Sequence, residues 1–400
     1  MKTKKLITFV SAMALSMGIF AQSDSLALQQ NSADKMLASE SKLTIGGYAQ
    51  IDYNQGFDNV TRSNGLLDVH RMVMLFGYRF NERTQFITEL EFEHVSELYV
   101  EQAFLQYKIN SYVNFKGGLI LIPMGLINEY HEPPTYNGVE RPLVDNYISP
   151  TTWREIGAGF TGTIATAGVK YQVYVVNGFN SYNGAGKLNG KNGLRGGRQK
   201  GAESFVSSPN LSGRVDYFGI KNLQLGASVY FGNTQSTLYN GIDKNDDVAL
   251  AKADSSIVGI SMYGLDARYN WGKLQVKGQY YYNFLTNTEQ YNAFTKNSGV
   301  DNDLGSALRG WYLEAAYGIN LSKKNAQELV PFARLEYYNT QQQVSGTTVQ
   351  NDAYKNNIIT AGLGWKMTEN TVIKADVQFI KSGVATEYNK TFNAGIGVMF

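Results

Sequence analysis

The groups in this chain that could do chemistry are His70, His94, His131 and a set of carboxylates and guanidiniums that recur two residues apart; there is no cysteine. A hydrolase would need a nucleophile within reach of a base that a third group orients. His94-Val-Ser96 is the one close serine–histidine pair, and it falls in a connection, not on a held element. Glu129, His131 and Glu132 have side chains that could bind a metal, but they share one loop and have no second ligand cluster beside them. No glycine loop follows a strand and opens a helix to cradle phosphate. These residues read as a non-enzyme with no cofactor and no metal. Arg214/Asp216, Asp266/Arg268 and Arg334/Glu336 say something different. At a spacing of two, both members of each pair share one face of a β-strand.

The elements that must position these pairs are strands. Alternating stretches lie near 42–53, 68–80, 84–94, 97–109, 112–122, 154–163, 168–178, 209–218, 222–232, 257–270, 273–285, 308–320, 328–340, 354–366, 371–381 and 390–400. Each is about the length of a tilted strand that crosses a bilayer, roughly 9–11 residues. The joins alternate as well. Short ones (81–83, 110–111, 165–167, 219–221, 271–272, 321–327, 367–370) trade places with long ones (54–67, 123–153, 179–208, 233–256, 286–307, 341–353, 382–389). The exception is the tight join near His94–Glu97. Phe392, Ala394, Ile396, Val398 and Phe400 share a face of the last stretch. Near 97–109, Leu98 and Val100 fall out of phase with Ala103, Leu105 and Tyr107, which predicts a bulge.

A soluble sandwich would alternate too, with its apolar face inward. The loop rhythm, the terminal Phe400 and the N-terminus favour a transmembrane antiparallel β-barrel of about sixteen strands. Lys2, Lys4 and Lys5 precede an apolar run from Leu6 to Phe20 with Ala21 after it, the anatomy of a secretory signal peptide over 1–21. Residues 22–41 then form a short periplasmic segment and 42–400 the barrel, in the bacterial outer membrane. The 41 Gly, 27 Tyr and 20 Phe suit tight turns, strands and interfacial girdles, with Trp311 and Trp365 near strand ends. A net charge of +2 gives no reason to expect a nucleic-acid partner.

The segment Pro123–Trp153 holds five of the seven prolines and follows the fifth strand. It is too long for an ordinary connector, and its prolines and apolar residues predict an ordered, functional loop. Gly117-Gly-Leu-Ile-Leu-Ile-Pro123-Met-Gly125, Glu140-Arg141-Pro142, Arg154-Glu-Ile-Gly157, Gly310-Trp-Tyr-Leu-Glu314 with Tyr317, Pro331-Phe-Ala-Arg334-Leu-Glu336-Tyr and the stretch 362–400 together resemble the phosphate-selective porin O and P family. The resemblance implies a sixteen-stranded barrel, a homotrimer in outer-membrane lipid, that conducts small hydrophilic solutes or inorganic ions. It also implies a third loop folded into the lumen. The terminal face of Phe392, Ile396, Val398 and Phe400 would be the signal read by the barrel-assembly machinery.

Strand phase turns Arg71, Arg214, Arg268, Lys277, Arg334 and Lys374 inward, with Glu89, Glu91, Glu93, Asp216, Asp266, Glu314, Glu336 and Asp376. The loop adds Glu129, Glu132, Glu140 and Asp145 against Arg141. Glu140 and Arg141 are expected at the constriction. Phosphate selectivity would call for a ladder of one sign, and this lining is mixed. The expectation is passive diffusion, with a solute-specific (phosphate or anion) channel or a surface adhesin as alternatives. Lys187, Lys191, Arg195, Arg198 and Lys200 in the fourth outer loop are expected on a flexible, solvated segment near anionic headgroups, or as a funnel for anions.

Overall fold

The computed structural model describes residues 30–57, 62–322 and 326–400. The expected leader, residues 1–21, lies outside them.

Among the described residues, four short α-helices, the first being α1 (Ser32–Ala38), and a small parallel pairing of 180–182 with 235–236 accompany one large sheet that forms the framework. Its staves are β1 (Leu43–Phe57), β2 (Leu66–Arg79), β3 (Thr84–Glu93), β4 (Glu97–Lys108), β5 (Asn114–Leu121), β6 (Arg154–Ile164), β7 (Val169–Val176) and β8 (Asn210–Ile220). They continue as β9 (Leu223–Asn233), β10 (Gly259–Trp271), β11 (Leu274–Thr286), β12 (Ala307–Tyr317, resuming at Ile319–Ser322), β13 (Gln327–Gln343), β14 (Lys355–Thr368), β15 (Thr371–Ser382) and β16 (Asn389–Met399). The two parts of β12 both pair with β13, so they make one stave interrupted at Gly318. Each stave pairs antiparallel with its neighbours in chain order, and β1 pairs with β16 from Tyr48↔Met399 to Phe57↔Lys390. The sheet is thus a closed sixteen-strand antiparallel β-barrel with no free edge, as the alternation predicts. Phe400 finishes the seam: its N–H donates to the Gly47 carbonyl (2.8 Å), and Gly47 N–H donates back to Phe400 (3.0 Å).

Polarity explains the closure. Ile51, Leu265, Leu313, Leu335, Ile373 and Ile396 are exposed, while Asp52, Asp266, Glu314, Arg334, Lys374 and Asn393 on the same strands are buried. A soluble barrel would be arranged the other way. Short turns at one end are set by local chemistry. The Asn81 carboxamide oxygen accepts from the N–H groups of Arg83 and Thr84 (both 2.9 Å), and Asn110 does the same for Tyr112 (2.8 Å) and Val113 (3.0 Å). Gly272, at φ 59°, supplies the left-handed residue of the β10–β11 turn at no steric cost.

The bulge expected in 97–109 is present. Glu89 pairs with Gln102 and Leu90 with Val100, so Glu101 is the extra residue. Glu101 and Gln102 are therefore both buried, while Leu98, Val100 and Leu105 stay exposed.

Candidate functional site

The inward face of the wall carries the paired charges, and their partners are close. Arg214 on β8 donates to both carboxylate oxygens of Asp216 (2.6 and 3.0 Å) and of Asp266 on β10 (2.7 and 3.0 Å). Arg334 on β13 meets Glu336 at 2.7 Å and Glu314 on β12 at 3.2 Å, and Lys277 on β11 reaches Glu314 at 3.0 Å. Arg71 faces Glu91 at 3.3 Å, and Arg154 pairs with Glu101. Two of the three pairs read from spacing are ion pairs along a strand. The third is not: Asp266 belongs to Arg214, and Arg268 lies 5.2 Å from the Tyr130 ring with a 3.4 Å bond to the Leu126 carbonyl. Glu101 and Arg154 were missing from the inward set. Only the bulge displaces Glu101 inward, and Arg154 opens β6 where the long segment ends, so strand period alone flags neither.

The Pro123–Trp153 segment meets this face at many points. Lys374 Nζ on β15 donates to the carbonyls of Pro133 (2.6 Å), Tyr136 (2.7 Å) and Gly138 (2.8 Å). Asp376 accepts from Val139 N–H (2.7 Å), and Glu314 accepts from Asn137 Nδ2 (2.7 Å). On β11, which pairs with β12, Gln279 Oε1 accepts from Leu126 N–H (3.0 Å), and Asn283 Nδ2 donates to the Ile148 carbonyl (2.9 Å). The partners thus lie on the adjacent strands β11 and β12 and on β15.

The acidic residues expected to line a constriction have differing surroundings. Glu129 accepts from Gln172 Nε2 (2.9 and 3.1 Å), Glu132 accepts from Ser32 N–H (2.7 Å), and both are buried. His131 Nε2 lies 3.0 Å from the Tyr48 hydroxyl, which is 2.8 Å from Glu89. The three residues with metal-binding chemistry therefore face three different partners. Burial raises both carboxyls and pushes His131 well below its usual value, so its imidazole is neutral. Asp145 is fully buried, accepts from the Tyr281 hydroxyl (2.5 Å), and is pushed up to about 7 by burial. Glu140 and Arg141 are only half-buried; Glu140 Oε1 accepts from Asn54 (3.1 Å), and Arg141 has no ion pair among the described residues. Of the loop's charges, these two are the ones left partly open.

The fourth outer loop, 179–208, is not a solvated coil. Leu188 and Leu194 are buried, and Arg198 Nη1 donates to the carbonyls of Thr151 and Thr152 (both 2.9 Å), where burial and nearby Arg195 lower it to about 9. Apolar residues among the glycines give this loop a small core, a signal that its composition hides. Below the segment, at the short-turn end, a cavity of about 560 Å³ is lined by Lys35, Lys221, Arg268 and Lys366 with Glu369 and several amides. His94 Nδ1 is held by Asp68 at 2.6 Å, while Ser96 Oγ donates to the His94 carbonyl (3.4 Å), so Ser96 and the His94 ring do not form a nucleophile–base pair.

A closed sixteen-strand wall with an apolar outside and a charged inside has the architecture of outer-membrane β-barrels. No protein-family profile matches the sequence. The chain belongs to the same family as an uncharacterised protein of Aquifex aeolicus (strain VF5), 30% identical over 356 residues that span 86% of this chain and 77% of that one. Solved barrels are similar in fold. An anion-selective porin from Comamonas acidovorans superposes with a TM-score of 0.56 at 13% identity, over 90% of this chain and 99% of that one. The outer-membrane channel DcaP of Acinetobacter baumannii gives 0.56 at 10% identity (90% and 97%). The in-vitro folded outer-membrane protein OmpT of Vibrio cholerae, in a trimer form, gives 0.53 at 10% (90% and 99%).

Proposed function

We propose that the protein is an outer-membrane channel of the porin kind, through which small hydrophilic solutes or inorganic ions diffuse passively, with Pro123–Trp153 folded into the lumen as its constriction. The observation that carries this reading is the inverted polarity of a closed wall. Such a wall is stable where its outside meets hydrocarbon and its inside meets water or a polar loop. Selectivity then comes from width and from the charges at the narrowest point, Glu140 and Arg141 among them. Export through a signal peptide, insertion by the barrel-assembly machinery through the Phe392–Phe400 face, and a homotrimeric assembly belong to the same reading. The trimer form of the Vibrio cholerae barrel supports the last of these.

The test is single-channel recording of the refolded protein in a planar bilayer under a salt gradient. Steady conductance establishes the channel, and a folded barrel without conductance under any condition refutes it. A second reading, an anion-preferring channel, is favoured by the four cations against one carboxylate around the 560 Å³ cavity. A reversal potential of anionic sign would select it, and a cationic or weak one would leave a general porin.

A further inference from the structure

Inward side chains are buried on strands all round the wall. Gln50, Glu89, Arg154, Arg214, Arg334 and Lys374 sit on strands spread around the barrel, and none is more than 6% exposed. A wide water-filled passage along these side chains would leave some of them wet. The Pro123–Trp153 segment covers part of the circumference, and α1 fills the part beside β2, β3 and β7.

Helix α1 is tied to the segment and to the wall. Asn31 Nδ2 donates to the Glu129 carbonyl (2.9 Å), and Ser32 N–H donates to Glu132 Oε1 (2.7 Å). Asp34 pairs with Lys170 on β7 (3.1 Å), Gln85 Nε2 on β3 donates to the Leu37 carbonyl (3.2 Å), and Arg79 on β2 donates to the Ser39 carbonyl. Ala33 and Met36 are its buried apolar residues. A seven-residue helix is far too short to persist in water by itself, so α1 is ordered by these contacts and loses its structure when they break. Its apolar anchors are Ala33, Met36 and the partly buried Leu37, and its other ties are polar bonds that water can replace, which mark an element that opens at lower local cost than the wall.

We infer that α1 is a latch that shuts the channel. Docked, it holds the Glu129–Glu132 turn in place and closes the space between the 560 Å³ cavity and the upper lumen. Undocked, it frees that turn and opens the space along β2, β3 and β7. The inference rests on the channel reading above, and the experiment separates the two.

Ser32→Pro removes the N–H that reaches Glu132. Proline is well accepted at the first helical position, and Asn31 (φ −83°, ψ 176°) already has the extended conformation that precedes a proline. Deletion of residues 30–39 removes the latch outright. Leu37→Cys/Gln85→Cys, bridged by a short bis-maleimide in a chain with no other cysteine, fastens it. Each variant is first checked for a folded barrel by its heat-modifiable migration in SDS, then recorded in a planar bilayer beside the unaltered protein. The latch predicts a severalfold rise in conductance or open time for Ser32→Pro and the deletion, and a fall on bridging that is absent with a monofunctional maleimide. A conducting parent whose conductance none of these changes alters overturns the latch and leaves the channel. Folded barrels that stay silent even after the deletion overturn the channel, and the latch with it.

Discussion

Lys374 holds its ammonium 3.9 Å from the centre of the Tyr136 ring while donating to the Tyr136 carbonyl at 2.7 Å, so one wall side chain holds both the ring and the backbone of one loop residue. The carbonyls of Pro133 and Gly138 complete the grip. Charge-assisted bonds of this sort are about twice as strong as neutral ones, and the cation–ring contact adds to them where water is excluded. Lys374→Met keeps most of the volume and leaves three carbonyls without this donor. The expected result is a loss on the order of 3 kcal/mol in barrel stability, with faster hydrogen exchange confined to 133–139. Unchanged exchange there would mean that the loop is held by its other contacts alone.

Arg334 neutralises Glu314 and Glu336 inside the wall. Arg334→Met should cost about 3–5 kcal/mol, because it strands buried charge of one sign. Lys277 still faces Glu314, so Glu336 bears most of the change. Arg334→Met/Glu336→Gln should recover a large part of the loss. Chemical unfolding in detergent, run as a double-mutant cycle, measures the coupling; additive effects would show that the two side chains act independently.

The carboxyl of Asp145, pushed up to about 7 by burial, makes the seating of the loop pH-dependent. Its unfolded value is near 4, so the folded barrel holds this proton more tightly. The stabilisation is fully present below about pH 4 and is lost as pH rises through 7. Glu129 and Glu132 are shifted in the same direction. His131, shifted down, works the other way below its usual value, so the test is a difference: between about pH 4 and pH 7 the unfolding midpoint of the parent should fall relative to that of Asp145→Asn. A slope equal to that of the parent would exclude Asp145 as its source.

Glu101 exists on the inward face because of the bulge. Deleting it should restore regular pairing between β3 and β4, with Leu98 and Val100 still facing out, and leave Arg154 without its carboxylate. The barrel should still form, but with a loss of about 3 kcal/mol from an unpaired buried charge. Arg154→Met in the deletion background should return most of that. Failure of the deleted chain to form any barrel would instead show that the bulge sets register.

The number of staves, their order and their inward and outward faces were legible in the sequence. A strand's period of two puts polarity directly into residue order, and a barrel in lipid needs that polarity in every strand. The pairs Arg214/Asp216 and Arg334/Glu336 followed from the same period. Where the period broke, sequence reasoning lost its footing. Glu101 went unassigned, and Asp266 was joined to Arg268 although its partner stands on another strand. The loops were harder still. Neither the hold of Lys374 on 133–138, nor the buried Leu188 and Leu194, nor the docking of α1 on Glu129 and Glu132 leaves a periodic trace. The hold of Lys374 and the docking of α1 join residues about a hundred or more positions apart, and they exist only once the wall has closed and brought its polar faces together.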